Sequence, residues 1–159
     1  MNIKTIGVVG AGTMGNGIVQ VCATAGLKVI MQDINDTQVE RGLTTIAGSL
    51  DRLIKKEKIS EQDKQATLAN ISTTTALADL ADTDIVIEAA TENEAIKLDI
   101  FKQLDELCQP QTILASNTSS ISLTRIAGAT QRADQVIGMH FMNPVPIMAL
   151  VEVIRALQT

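Results

Sequence analysis

Two hydrophobic rhythms alternate along this chain. Short apolar runs rich in β-branched residues read as buried strands: Ile6-Gly7-Val8-Val9, Lys28 to Met31, Ile71 to Thr74, Ile85-Val86-Ile87, Thr112 to Ala115 and Gln135 to Phe141. Between them, apolar residues recur in helical steps. Ile18, Val21, Cys22 and Ala25 predict a first helix closed by Gly26. Val39, Leu43, Ile46, Leu50 and Leu53 predict a long second one, capped by Asp36 and running to about Lys58. Ser60 followed by Asp63 opens a third, with Ala66, Leu68 and Ile71 as its apolar set. Leu77 to Leu80 is a short helical turn. Glu94 to Cys108 carries Ile96, Ile100, Phe101, Leu104 and Leu107 on one face and stops at Pro110, and Ser122 to Ala127 is a short helix. Beyond Asn143-Pro144-Val145-Pro146, where neither proline can donate to a ladder, Leu150 to Ile154 alternates as a last strand.

The first strand and helix are joined by Gly10-Ala11-Gly12-Thr13-Met14-Gly15, and the second strand ends at Asp33. Gly10 permits the tight turn, Gly12 lets a pyrophosphate reach the main chain, and Gly15 lets the helix lie close to the strand. The helix N-terminus then offers free N–H groups and partial positive charge to the phosphates. Asp33 would accept the adenosine ribose hydroxyls. It also disfavours a 2′-phosphate, because like charges about 4 Å apart repel by about 4 kcal/mol at an effective dielectric of about 20. NAD is therefore expected rather than NADP. A glycine-rich turn alone is weak evidence; here it follows a strand, opens a helix and meets an acid at the right remove, which is the context the motif requires. The β-α alternation around it predicts an α/β fold, a Rossmann-type doubly wound and mostly parallel sheet, with the long second helix as a crossover insertion.

Composition narrows the picture little. One domain over residues 1–159 suits the length, and a core of Ile, Val, Leu, Ala and Met is forced by having only two aromatics, Phe101 and Phe141. Thirteen basic against eighteen acidic residues leave a formal charge of −5, which argues against nucleic acid or a membrane surface as partner. Cys22 and Cys108 lack metal spacing and lie at apolar helical positions, so no metal is expected and the thiols suit a reducing, cytoplasmic compartment. No signal peptide and no membrane-length apolar run is seen.

Candidate chemistry gathers at predicted strand ends. His140, the single histidine, ends a strand and is either a hydrogen-bonded strand-end residue or a general base. Glu152 sits in the apolar run LVEVI, where a charge asks for a partner, and the turn at Asn143–Pro146 could return it beside His140. Ser116-Asn117-Thr118-Ser119-Ser120 is either a helix-capping loop or a polar shelf for substrate. Arg52, Lys55, Lys56 and Lys58 are either a solvated helix face or a nucleotide-phosphate site.

The runs GAGTMGNGIVQ, EAATEN, ASNTSSIS and GMHFMNPVPIMALVEVI resemble the 3-hydroxyacyl-CoA dehydrogenase family, from Ile6 to about Thr159 without a gap. That resemblance implies oxidation of a (3S)-3-hydroxyacyl-CoA with NAD, with His140 as base, Glu152 as its partner and Ser119 on the substrate oxygen. It implies Asn143, Glu92, Lys97 and Ser119 near the cofactor, and Ser49 and Lys56, with Ser119, on the acyl-CoA. Met142 stands where the family commonly has a second aromatic. The family's chain continues into a helical domain that makes a homodimer and covers the substrate, and these 159 residues hold no counterpart to it. The expectation is a cofactor domain that by itself is weakly active or inactive, with apolar surface exposed around Met142, Val145, Ile147 and Met148. A non-catalytic NAD-binding module and a related β-hydroxyacid dehydrogenase are the alternatives.

Overall fold

The computed structural model describes residues 1–159. Seven strands, β1 (Thr5–Val9), β2 (Lys28–Gln32), β3 (Ile71–Thr74), β4 (Ile85–Glu88), β5 (Ile113–Ser116), β6 (Val136–Phe141) and β7 (Val151–Arg155), make one sheet. Five helices alternate with them: α1 (Thr13–Thr24), α2 (Asp36–Lys55), α3 (Glu61–Ala69), α4 (Glu94–Leu107) and α5 (Leu123–Gly128). The strand order is β3-β2-β1-β4-β5-β6-β7, parallel throughout except for the β6–β7 pair. A helical crossover is long enough to return a strand parallel; the helix-free turn between β6 and β7 is not, so that pair is antiparallel. The chain leaves β1 toward β2 and β3, then comes back to β4 on the other side. Order therefore reverses between β1 and β4, where a crevice opens beyond the strand ends.

Because the strands are apolar on both faces, the sheet carries two cores. Val8, Ile18, Val19, Met31, Ile46 and Leu50 fill the side under α1 and α2. Val86, Phe101, Leu104, Leu114 and Ile126 fill the side under α4 and α5. The Asp84 carboxylate accepts hydrogen bonds from the N–H groups of Lys4 (2.8 Å) and Thr5 (2.9 Å), tying the start of β1 to β4. Those donors favour the charged form and hold this carboxyl below the usual carboxylate range.

Local details depart from the sequence expectation in instructive ways. Asn35, not Asp36, caps α2 through Gln38 N–H, and the helix ends at Lys55 because Glu57 turns to a φ of 58°. Ser60 and Asp63 do form the expected capping box on α3, but Thr67 is its buried residue and Ala66 is exposed. In α1, Val19 and Ala23 are buried with Ile18 and Cys22 while Ala25 is exposed, since the helix is covered by α2 and α3 as well as by the sheet. In α4 the buried set is Lys97, Phe101 and Leu104, with Ile96 and Leu107 turned outward. Both cysteines are free and buried, and burial pushes the Cys22 thiol up to about 11. No helix is long and apolar enough to cross a membrane, and no cluster of side chains could hold a metal ion.

Candidate active site

The glycine turn has the geometry its residue types require. Gly10 adopts a φ of +107°, and a Cβ there would lie 2.5 Å from the Ala89 carbonyl oxygen. At Gly15 a Cβ would stand 1.8 Å from the Gly10 oxygen, so only glycine lets α1 begin so close to β1. A Cβ on Gly12 would meet nothing, which leaves open space over the N-terminus of α1. That N-terminus has no side-chain cap, whereas Asn35, Ser60, Asn93 and Ser122 cap the other four helices. Asp33 is drawn to the same place: its Oδ2 accepts Ala11 N–H at 2.8 Å and its Oδ1 accepts Ile34 N–H at 2.7 Å. Gly10 and Asp33 share a cleft of about 580 Å³ with Ile34 and Ile96, apolar edges suited to a purine. Uncapped N–H groups, room for a pyrophosphate and a ribose acceptor together fit a dinucleotide.

Across the strand reversal, a smaller cleft of about 180 Å³ is lined by Met14, Ala89, Glu92, Lys97 and Asn117. Glu92 is partly open to it. Lys97 reaches its wall, yet the side chain is only 1% exposed and the ammonium is held by Glu88 at 2.7 Å. The polar shelf after β5 is tied to the neighbouring elements: Thr118 and Ser120 hydroxyls donate to Glu92, and Asn117 Oδ1 accepts Phe141 N–H at 2.8 Å. Ser119 is exposed and makes no hydrogen bond within the protein, leaving its hydroxyl available to a ligand.

His140 and Glu152 stand directly opposite one another in the β6–β7 ladder. His140 Nδ1 lies 3.2 Å from Glu152 Oε2, with the ring about three-quarters covered and the carboxylate half exposed. A carboxylate only accepts, so Nδ1 is the nitrogen that donates to it, and in the neutral ring Nε2 is the one that accepts. The next turn, Asn143 to Ile147, forms one wall of a cleft of about 380 Å³, and the far end of α2 forms the other. Ser49, Arg52, Lys56 and Lys58 line that second wall, and none of the three cations is in an ion pair; Lys55 points elsewhere. Val145 departs from expectation. It is buried, seated on Gly17, where a Cβ would come within 2.8 Å of its own; Ile147 and Met148 are exposed.

Sequence reasoning missed Glu88. Its signal was available, since it is a lone acid closing the apolar run of β4, and Lys97 precedes Phe101 by four residues on the buried face of α4.

Comparison with known proteins agrees with this geometry. The family described as "3-hydroxyacyl-CoA dehydrogenase, NAD binding domain" matches residues 5–159. The chain is 48% identical over 157 residues to 3-hydroxybutyryl-CoA dehydrogenase of Bradyrhizobium diazoefficiens, covering 99% of this chain and 54% of that protein. It is 51% identical over 159 residues to a probable 3-hydroxybutyryl-CoA dehydrogenase of Bacillus subtilis, covering 100% and 55%. Among solved structures, (S)-3-hydroxybutyryl-CoA dehydrogenase from Ralstonia eutropha superposes with a TM-score of 0.98 at 61% identity, over 99% of this chain and 56% of that one. The chain thus spans about half the length of the curated relatives it matches. With the NAD crevice, the doubly wound sheet and these likenesses in agreement, the chain belongs to the 3-hydroxyacyl-CoA dehydrogenase family, in the part that binds NAD.

Proposed function

We propose that this chain is the cofactor domain of a dehydrogenase that interconverts (3S)-3-hydroxyacyl-CoA, 3-hydroxybutyryl-CoA first among them, and the 3-ketoacyl-CoA. The observation that carries the reading is the His140–Glu152 pair, formed by ladder register at the end of β6 and three residues before the Asn143 wall of the basic cleft. In the oxidation direction, His140 Nε2 takes the proton of the substrate hydroxyl while Glu152 accepts from Nδ1–H and steadies the imidazolium. NAD, when bound, supplies the acceptor for the hydride leaving C3. Ser119 holds the substrate oxygen, and Asn143 with Glu92 borders the nicotinamide side. Ser49 and Lys56 receive the coenzyme A phosphates, joined by Arg52 and Lys58 on the same wall. Catalysis on this reading uses a second domain corresponding to the remaining length of the relatives, which covers the substrate and makes a homodimer; the enzyme is cytoplasmic.

The test is acetoacetyl-CoA-dependent oxidation of NADH by the full-length enzyme and by its His140→Ala variant. In this reduction direction the protonated His140 returns the proton to the substrate oxygen, and loss of that general acid predicts a fall in kcat of about 10²- to 10⁴-fold with NADH affinity unchanged. A variant within about tenfold of the parent would remove His140 from the mechanism.

A further inference from the structure

The reaction just described makes no use of the best-buried acid in the protein. Glu88 closes β4 with 0% exposure. Lys97 Nζ lies 2.7 Å from each of its carboxylate oxygens, Ser116 Oγ donates to Oε1 at 2.8 Å, and Ala90 N–H donates to Oε2 at 2.8 Å. The contacts continue outward. Lys97 Nζ is 3.6 Å from Glu92 Oε1, Glu92 Oε2 accepts the Thr118 hydroxyl at 2.9 Å, and Thr118 N–H returns to Ser116 Oγ at 3.2 Å. Glu88, Lys97, Glu92, Thr118 and Ser116 therefore close a ring.

Stability is a poor reason for such a ring. A buried ion pair gains little over apolar residues of the same volume, because desolvation offsets the Coulomb attraction. What the ring does do is join three segments: the loop leaving β4, the first turns of α4 and the loop leaving β5. All of them belong to the second half of the sheet, across the strand reversal from Gly10–Gly15 and Asp33. Glu92, Lys97 and Asn117 form the walls of the cleft there, and Asn117 also pins Phe141, the residue after His140. On the adenosine side the glycine turn and Asp33 take no part; only Ala90, whose N–H Glu88 accepts, also lines the cleft they share.

We infer that Glu88 is the positioning residue of the nicotinamide half of the dinucleotide site. It touches no ligand. Through Lys97 and Ser116 it holds the two loops in the arrangement that receives the nicotinamide nucleotide. This rests on the assignment of NAD to the crevice, and it adds that the nicotinamide half is held by a ring to which neither the glycine turn nor Asp33 belongs.

Glu88→Gln is the direct probe. An amide sets one N–H₂ against the Lys97 or Ala90 donors, which opens the ring with little change in shape. NADH binding, followed by nicotinamide fluorescence, is expected to weaken about tenfold, as for loss of a charge-assisted contact. ADP, which occupies only the adenosine and pyrophosphate sites, is expected by calorimetry to bind within about twofold of the parent. Ser116→Ala leaves the ion pair intact and serves if Glu88→Gln does not fold; the same selective loss is expected, about threefold or more for NADH. Equal losses for both ligands, or none for either, in the variant that folds would overturn the positioning role. Failure of the parent chain to bind NADH would instead overturn the cofactor assignment beneath it.

Discussion

Asp33 shows how one side chain can serve two purposes. Its carboxylate accepts Ala11 N–H, which stiffens the glycine turn, and it lines the cleft proposed for the adenosine ribose. A phosphate on that ribose would face a fixed negative charge, and the repulsion exceeds the roughly 1.4 kcal/mol that makes a tenfold difference in affinity. NADH is therefore expected to bind at least about tenfold more tightly than NADPH, and Asp33→Ser to narrow that gap while weakening NADH as Ala11 N–H loses its acceptor. Fluorescence titration of both cofactors checks this, and equal affinities in the parent would contradict it. His140 behaves differently. Its identity suggested a base, but only the ladder partner Glu152 tells which ring nitrogen is free to act.

At the level of elements, the C-terminal end of α2 bears the basic residues proposed to meet coenzyme A. Its apolar stripe of Val39, Ile46 and Leu50 is buried as the periodicity predicts, and this fixes the direction of the opposite face near the C-terminus. Arg52 and Lys56 consequently reach over the α1 N-terminal turns toward the Asn143–Ile147 wall. In the full-length enzyme, Lys56→Ala is expected to raise the KM for acyl-CoA about 10- to 150-fold, the worth of one charge-assisted contact of about 1.5–3 kcal/mol, with NADH affinity unchanged. An unaltered KM would return the basic cluster to a solvated helix end. The turn before β7 contributes the other wall because Val145 is anchored in the notch that Gly17 leaves in α1.

For the molecule as a whole, the edge beside His140 leaves several large apolar side chains uncovered. Ile147 is 74% exposed, Val153 64% and Leu157 82%, so the outer strand and its flanks present a row of apolar side chains to water. The 159 residues by themselves are expected to fold, bind NADH, self-associate through such surface, and turn over acetoacetyl-CoA poorly. Positioning that a covering domain provides can be worth about 7–11 kcal/mol of barrier. Sedimentation across a concentration series, and turnover compared with a chain extended to the relatives' full length, decide it. Activity of the short chain within about tenfold of the long one would show that these residues suffice.

The order of strands and helices, the glycine turn and the family were all legible in the sequence, because each depends on local spacing: period two or near 3.6, and glycine where a Cβ cannot fit. Tertiary structure decided what depends on which distant residues meet. The apolar spacing of α4 put Ile96 and Leu107 on its buried face, yet both are turned outward and Lys97 is buried instead, because it meets Glu88, a partner on β4. Val145 looked like surface until Gly17 offered it a seat, and the pairing of His140 with Glu152 was only one option until the β6–β7 register set them opposite each other. A side chain's spacing is written along the chain, but the partner that makes a buried charge tolerable or orients an imidazole is supplied only by folding.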